Sequence, residues 1–439
     1  MKGCVTMKRR ALLTWVCLCL LLAMLVPMVA CTAGQNTDGT QTEGETLPPP
    51  IDPKSLGNPD INYPCQDNST LYTYQDKTAE DFAGVRSYYL QQGYTVYNEN
   101  EKAGNLFCTL TDGAQMAHLY WFVNSSELNL VLSETAGDTL PPAETPEMMQ
   151  GDYTPSVTQM RDSGNVNGMC YIVQLPDGSF IVYDGSYEKR AKKVMQAIEE
   201  LHGNEGVPLI RAWVLTHSHN DHYPAFSYFC NEYADKVKVE YVIFAPIEVE
   251  LAKQIGGDDY FNVGIYADIA NLGAKTVFAH TGMEFAFGDF KMEVLLAADD
   301  LFKVGNHNNY FNNSSLVTRI YTEDYSMLFL ADTGKEGTDL MTAVYGEAYL
   351  KSDICQISHH GVEDVPLEFY EIVQAAILYY PCNKSLYDQK ERHYEVRKAL
   401  EERSYTKEIL ISGCGQYTRS WGTTFADDAE LSIPDYKKK

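Results

Sequence analysis

The sequence is short of positive charge. Its 439 residues include 34 lysines and arginines against 60 aspartates and glutamates, a formal charge of −26. Four of the basic side chains and none of the acidic ones fall in residues 1–30, so residues 31–439 hold 30 basic and 60 acidic groups. A surface this acidic repels a phosphate backbone unless a basic patch or a metal intervenes. Generic nucleic-acid binding is therefore not expected.

Two further shortages narrow the class of protein. Only 21% of the residues are charged and 45% are apolar, which excludes a disordered chain. The eleven cysteines include no Cys-x-x-Cys pair, which argues against a cysteine-based zinc site. Seven of them follow residue 31, and an odd number cannot pair completely. Buried free thiols are the simpler expectation, with a Cys65–Cys108 disulfide as the alternative.

The first thirty residues have the pattern of an export signal. Basic residues 8–10 precede an apolar run over 11–30, which ends in Met-Val-Ala followed by Cys31. A basic segment before an apolar core is typical of a secretory signal. Small residues before a cysteine resemble a bacterial lipobox, so we predict a signal peptide over 1–30 and a lipid on Cys31. An uncleaved membrane anchor is the alternative. Both interpretations place the rest of the chain at the outer face of the cytoplasmic membrane.

Changes in composition divide the remaining chain. Residues 31–58 are rich in Thr, Gly, Glu, Gln and Pro, which is typical of a flexible tether. Residues 59–145 predict a small α+β domain, with helix character at 78–93 followed by short strand-like runs. Residues 157–425 mix short apolar strands with helices, which predicts a layered α/β domain, and 426–439 form a C-terminal tail.

A cluster of metal-binding residue types follows an apolar strand predicted at 212–215. The motif is His-x-His-x-Asp-His, with His217, His219, Asp221 and His222. In an extended segment His217 and His219 point to one side and can share a cation. After a turn, Asp221 and His222 can face a second cation. Imidazole and carboxylate together suit Zn²⁺, with Fe or Mn as alternatives, and the competing interpretation is a solvated loop cluster.

This motif after an apolar strand resembles the metallo-β-lactamase fold family, over about residues 157–425. The resemblance implies a four-layer αββα sandwich, preceded here by the small α+β domain, and two divalent metal ions between the sheets. It also implies Asp332 as a carboxylate that bridges both metals, and one ligand from the neighbouring His359 and His360. Asp184, in an Asp-Gly pair, matches a position that supports a ligand.

The later elements are similar to the hydrolase domain of DNA-uptake competence proteins and to phosphorylcholine esterases. In that branch the usual third-element histidine is absent, and Asn312 or Asn313 lies near its place. The first metal would then have only His217, His219 and Asp332 as protein ligands, so its occupancy is left open. Ala331 also stands where the family usually has a glycine.

The implied chemistry is hydrolysis of a phosphoester, phosphodiester or ester by a metal-bound hydroxide. Asp221 and Asp332 would be catalytic, and His393 would donate a proton to the leaving group or hold a phosphate. The simpler interpretation of His393 is a surface histidine at the start of a helix. Because the chain is acidic, a small-molecule or cell-wall-linked substrate is expected rather than DNA. The alternatives are a non-catalytic metal-binding surface lipoprotein and a nuclease-like activity in DNA uptake. No oligomeric state is predicted.

Overall fold

The computed structural model describes most of the chain after residue 46. The described residues are 47–65, 68–134, 139–142, 150–162, 166–203, 206–247, 249, 252–253, 264–305, 309–362, 365–391 and 394–438. The predicted signal peptide, the lipidation site Cys31 and the predicted proton donor His393 lie outside them. Among the helices of the described ranges, none combines the length and hydrophobicity that a bilayer crossing requires.

A six-stranded antiparallel sheet and one helix form the first region, which we call the small domain. Its strands have the spatial order β1-β2-β6-β5-β4-β3. They are β1 (Ile61–Pro64), β2 (Thr70–Tyr74), β3 (Thr95–Lys102), β4 (Asn105–Thr111), β5 (Met116–Phe122) and β6 (Glu127–Ser133). Helix α1 (Ala79–Gln91) starts at a capping box, in which Thr78 and Asp81 each bind the other's backbone N–H. Buried α1 residues, including Phe82 and Val85, pack on the sheet.

Two seven-stranded sheets form the second region, which we call the sandwich. The first sheet has the order β12-β11-β10-β9-β8-β7-β20, and the second runs β13 to β19 in chain order. The first sheet contains β7 (Ser156–Gln159), β8 (Cys170–Gln174), β9 (Phe180–Asp184), β10 (Leu209–Leu215), β11 (Lys238–Phe244), β12 (Lys275–Phe278) and β20 (Tyr417–Ser420). The second contains β13 (Glu284–Phe287), β14 (Phe290–Leu296), β15 (Val317–Tyr321), β16 (Ser326–Phe329), β17 (Ile354–Gln356), β18 (Ile377–Tyr380) and β19 (Glu408–Ile411).

Helices cover the outer face of each sheet. The longer ones are α2 (Ala191–His202), α3 (Pro224–Glu232), α4 (Ile265–Leu272), α7 (Lys335–Tyr349), α8 (Leu367–Val373) and α10 (Tyr394–Glu402), and the short ones are α5 (Asp299–Phe302), α6 (Tyr310–Asn313) and α9 (Lys384–Tyr387). The first sheet buries Ile172 and Val182 against α2 and α3, while Tyr171 and Tyr183 face the second sheet. The alternation gives each strand two buried faces. The predicted four-layer αββα sandwich is confirmed.

Residues at both ends of the described chain pack on the fold. In the segment predicted as tether, Pro53–Leu56 form a 3-10 helix, and the Ile51 N–H donates to the Gly84 carbonyl of α1 at 2.9 Å. In the predicted C-terminal tail, Ser432 pairs with Glu408 of β19. The described parts of both segments therefore have fixed places, because backbone groups of the folded regions bind them.

The small domain and the sandwich meet at a buried surface that we call the seam. Lys102 at the end of β3 places its Nζ 2.8 Å from Glu284 and 2.7 Å from Glu293 of the second sheet. The Phe107 ring covers Gly282, where a Cβ atom would lie 1.8 Å from the nearest ring carbon. Only a glycine fits at this position, which also has a φ of 89°. The two regions thus share a close-packed and ion-paired boundary.

Candidate metal centre

The histidine motif occupies the loop that leaves strand β10. Backbone hydrogen bonds fold the loop back on itself and on β8 and β9: His222 N donates to His219 O, Gly185 N to His222 O and Met169 N to Asp221 O, at 2.7–3.0 Å. His217 and His219 are two positions apart in this loop, and His217 Nε2 lies 3.1 Å from His219 Nδ1. The loop therefore presents the motif at the edge between the two sheets.

Asp332 connects the motif to the second sheet. Its Oδ2 lies 3.6 Å from His217 Nε2, 3.3 Å from His222 Nε2 and 3.6 Å from His360 Nε2. On the far side, Asp221 Oδ2 lies 3.2 Å from His360 Nε2. Two groups of three residues have ligand atoms close enough together to bind one metal ion. The first group is His217, His222 and Asp332, and the second is Asp221, His222 and His360. Together with His219 we call these residues the sandwich centre.

The donor atoms of the sandwich centre fit divalent metal ions. His222 Nε2, His360 Nε2 and Asp332 Oδ1 are buried and have no hydrogen-bond partner among the described residues. An unsatisfied buried polar atom costs about 1–3 kcal/mol. Coordination of a cation by imidazole and carboxylate removes this cost, and this donor set is the one that Zn²⁺, Fe and Mn accept.

The outer nitrogen of each central imidazole has its own acceptor. His222 Nδ1 lies 2.7 Å from Asp184 Oδ2, and His360 Nδ1 lies 2.6 Å from the Pro381 carbonyl oxygen. Asp184 is itself fixed by the N–H and the hydroxyl of Thr216, both at 2.8 Å. With Nδ1 donating outward, the Nε2 lone pair of each ring faces the centre, which is the orientation that a metal ligand needs.

The structure distinguishes the two neighbouring histidines. His360 is buried and joins the centre, whereas the half-buried His359 ring lies next to Asn312 Nδ2, 3.3–3.4 Å from its nitrogens. Both residues have left-handed backbone conformations, with φ of 45° and 57°. Asn312, near the place of the usual third-element histidine, thus contacts His359 on the exposed side of the centre.

Gln356 and Ser315, which the sequence analysis missed, fix the turn that carries Ala331 and Asp332. Ala331 has a φ of 48°, a left-handed conformation that a glycine would adopt more easily. Gln356 of β17 binds this residue on both sides, accepting from Ala331 N at 2.6 Å and donating to Ala331 O at 3.0 Å. Ser315 Oγ accepts from Asp332 N at 3.1 Å. A polar residue inside the apolar β17 run was the available signal for Gln356.

Electrostatics in the centre also favour a cation. Burial opposes charge on Asp332, yet His222 and His360 hold the pKa of this carboxyl well below its usual range. Burial opposes charge on His222 too, yet Asp332 and Asp184 raise the pKa of its imidazole. Burial lowers the pKa of His217, with the neighbouring His222 acting in the same direction. Protons on imidazole therefore occupy the place of positive charge that a metal would take.

The chain is similar to several solved structures at low sequence identity. Among solved structures, the metallo-beta-lactamase fold protein YhfI from Bacillus subtilis has 11% identity and a TM-score of 0.38, covering 60% of this chain and 99% of its own. A possible metal-dependent hydrolase from Veillonella parvula has 8% identity and a TM-score of 0.34, with 61% and 100% covered. The diiron β-hydroxylase CmlA from Streptomyces venezuelae has 15% identity and a TM-score of 0.31, with 62% and 46% covered.

At the level of sequence, no curated protein matches the chain. The family profile described as the metallo-beta-lactamase superfamily matches residues 163–368, which include every residue of the sandwich centre. The match supports the predicted class of enzyme, a hydrolase of this superfamily. The chain therefore carries a metallo-beta-lactamase superfamily domain.

Proposed function

We propose that the chain is an extracytoplasmic, lipid-anchored hydrolase that cleaves a small or cell-wall-linked phosphoester at a two-metal centre. One observation carries the proposal. Imidazole nitrogens and carboxylate oxygens of the sandwich centre face one another at 3.2–3.9 Å around Asp332 and Asp221, and several have no other partner among the described residues. Burial of such a group needs compensating positive charge, and a metal ion would supply that charge while also binding the unpartnered donor atoms.

The centre offers donors for two cations. One set contains His217, His222 and Asp332, with His219 next to His217, and the other contains Asp221, His222 and His360. Two bound divalent cations would lower the pKa of a water molecule and stabilise negative charge that develops on the substrate.

Other groups of the protein orient the ligands and exclude water from the centre. Asp184 and the Pro381 carbonyl orient the imidazoles of His222 and His360, and Ser315 holds the turn of Asp332. Because His222, His360 and Asp332 are almost fully buried, bulk water is excluded from that side. This burial strengthens the electrostatic interactions of the centre.

Substrate binding would take place on the exposed side of the centre. His219 and His359 are half-buried there, and Asn312 presents an amide next to His359. Imidazole and amide N–H groups are donors for the oxygen atoms of an ester or a phosphate. The strong negative charge of residues 31–439 favours a small or immobile substrate over a polyanion such as DNA.

Metal analysis and a substrate panel test the proposed activity. The full chain is stripped with a chelator, reloaded with Zn²⁺, Mn²⁺ or Fe²⁺, and assayed with bis-p-nitrophenyl phosphate, p-nitrophenyl phosphorylcholine and p-nitrophenyl acetate. Metal at the centre is counted as the difference between the wild type and Asp332→Asn, with His202→Ala as the matched control. We expect about two ions in that difference and phosphoester cleavage only in wild type and control. Equal metal contents, or cleavage that survives Asp332→Asn, would contradict the proposal.

A separate experiment tests the anchor. Cells expressing the chain are fed a labelled fatty acid, and the label is followed in the wild type and in Cys31→Ser. We expect label on the wild type only, and release of the substituted chain from the membrane fraction, because the thiol of Cys31 is the lipid acceptor of the predicted lipobox. Label that persists in Cys31→Ser, or its absence from the wild type, would favour the uncleaved anchor.

A further inference from the structure

We propose a second metal site, distinct from the sandwich centre, in which Cys65, His280 and Asp299 bind one Zn²⁺ ion at the seam. Each side chain offers one ligand atom, and the three atoms lie within 4.8 Å of one another. Thiolate, imidazole and carboxylate are the three types of protein ligand that Zn²⁺ accepts.

The three residues come from parts of the fold that are distant in sequence. Cys65 directly follows β1 in the small domain. His280 lies just after β12 of the first sheet, and Asp299 begins α5 after β14 of the second. A metal held by all three would therefore connect the small domain to both sheets of the sandwich.

The backbone around His280 is fixed independently of any metal. Gly282 N donates to Val294 O at 2.8 Å, and Thr281 Oγ1 accepts from Ala297 N at 2.9 Å. The Thr281 carbonyl oxygen lies 2.9 Å from His118 Nε2 of β5. The turn that carries the imidazole is therefore tied to the second sheet and to the small domain, so the ligand is preorganised.

His118 stacks near His280 but is not a ligand in this arrangement. The ring centroids are 6.5 Å apart, and both His118 nitrogens are engaged, Nδ1 with Thr109 Oγ1 and Nε2 with Thr281 O, each at 2.9 Å. Burial lowers the pKa of His118 to about 3, so it adds no positive charge beside the proposed cation. Its place in strand β5 agrees with a structural role.

The dimensions and charges of the cluster suit a zinc ion. His280 Nδ1 lies 3.0 Å from Asp299 Oδ2. Zn–N, Zn–O and Zn–S bonds of about 2.0–2.3 Å place tetrahedral ligand atoms roughly 3.3–3.8 Å apart, so shifts of a few tenths of an ångström to about 1 Å would bring the three atoms to these separations. A thiolate and a carboxylate carry two negative charges, which Zn²⁺ neutralises. The Asp299 side chain is 16% exposed, which leaves a water molecule access to the fourth position.

The competing arrangement needs no metal. In it, His280 and Asp299 form a simple ion pair, and Cys65, which is 7% exposed, is a neutral thiol in the core. The two arrangements differ in one measurable property, which is a bond between sulfur and metal.

Cobalt substitution tests the site in the full chain. The stripped protein is reloaded with Co²⁺, and the near-ultraviolet spectrum is recorded, because a thiolate bound to Co²⁺ gives an intense charge-transfer band. The sandwich centre contains imidazoles and carboxylates but no thiol, so the band reports on the seam site alone. We expect a band that disappears when Zn²⁺ is added, is lost in Cys65→Ser and is retained in Cys230→Ser, a matched variant at another buried cysteine.

A milder substitution keeps the test decisive if Cys65→Ser does not fold. Asp299→Asn preserves the size of the side chain and the thiol but removes the carboxylate charge. We expect Asp299→Asn to weaken the Co²⁺ binding that this band reports by about 10-fold or more, measured by competition with a chelator. The absence of the band in the wild type, its persistence in Cys65→Ser, or an unchanged affinity in Asp299→Asn would overturn the second site. None of these results bears on hydrolysis by the sandwich centre.

Discussion

The sandwich centre and the seam both bury carboxylates, but they balance the negative charge differently. At the seam, Glu293 lies 2.7 Å from Lys102 Nζ and 2.6 Å from Arg319 Nε. At the centre, the ion pairs of Asp221 and Asp332 among the described residues are with imidazoles only. Glu284 and Glu293 at the seam are thus neutralised by cations of the chain itself, whereas the carboxylates of the centre rely on protons or an external cation.

This difference separates a structural site from a reactive one. A permanent Lys or Arg would neutralise the carboxylates of the centre and block metal binding, since both compete for the same oxygens. Histidine gives up its proton near neutral pH and then becomes a ligand. A buried carboxylate that is paired only with imidazoles therefore marks metal chemistry, and one that is paired with Lys or Arg marks stability.

The largest expected effect follows from changing the shared carboxylate. Asp332→Asn keeps the size of the side chain but removes the charge that faces both donor sets. We expect kcat/KM for phosphoester hydrolysis to fall by about 10³-fold or more, which corresponds to about 4 kcal/mol. Steady-state kinetics with the reloaded metal measure the loss, and far-ultraviolet circular dichroism checks the fold. A loss below tenfold would show that the centre and the seam do not differ as described.

At the seam, the corresponding substitution should affect stability and leave the metal centre intact. Lys102→Met removes the cation between Glu284 and Glu293 and leaves both carboxylates less compensated. We expect a loss of about 3–5 kcal/mol in the free energy of unfolding, measured by urea denaturation. The control is Lys291→Ala. Lys291 is 49% exposed and 3.7 Å from Glu284, so its loss should cost about 1 kcal/mol or less. Equal effects of the two variants would contradict the prediction.

A smaller effect is expected from the residue that orients His222. Asp184→Asn can still accept from Thr216 but no longer stabilises the outward Nδ1–H of His222. We expect metal affinity or activity to fall by about 10–100-fold, measured by competition with a chelator. Asp353→Asn, which changes a carboxylate that accepts from Ser326 N away from the centre, should leave affinity unchanged. Unchanged metal affinity in Asp184→Asn would mean that the hydrogen bond between Asp184 and His222 does not determine the orientation of the imidazole.

The smallest effect concerns the two neighbouring histidines. His359→Ala should keep the full metal content and lose activity by no more than about tenfold, because the ring contacts Asn312 rather than the donor groups. His360→Ala should lose metal, since its Nε2 faces Asp221 and Asp332. Elemental analysis of the two variants side by side measures the difference. Loss of metal in His359→Ala would reverse the assignment of the pair.

The sequence predicted the parts of the centre that are local. The spacing of His217, His219, Asp221 and His222 suffices because a single short loop after β10 carries all four residues. The choice between His359 and His360 was not predictable, because it depends on a hydrogen bond to a carbonyl in another strand connection. The grouping of Cys65 with residues of both sheets was beyond prediction for the same reason, since no local pattern joins them.

In the fold, too, the elements with a local sequence signal were predictable and those that depend on distant residues were not. The hairpin of β8 and β9 was predictable from its Pro-Asp-Gly turn, and helix α2 from its apolar face closed by Gly203. Strands β13 and β14 were not predicted, because Glu284 and Glu293 interrupt their apolar pattern. Lys102 from the small domain contacts both acids, and Arg319 also pairs with Glu293, so both carboxylates can be buried. A partner that is distant in sequence thus turns a polar position into an interior one.

The contact between Phe107 and Gly282 has a mechanical consequence. The Phe107 ring is in direct contact with the Gly282 backbone, so a relative shift of the small domain and the sandwich would cause a steric clash. The nearby ion pair of Lys102 with Glu284 resists their separation. Force applied to the small domain would therefore be transmitted to the sandwich through this contact and the ion pairs. A side chain at position 282 would overlap the Phe107 ring and push the small domain away from the sandwich.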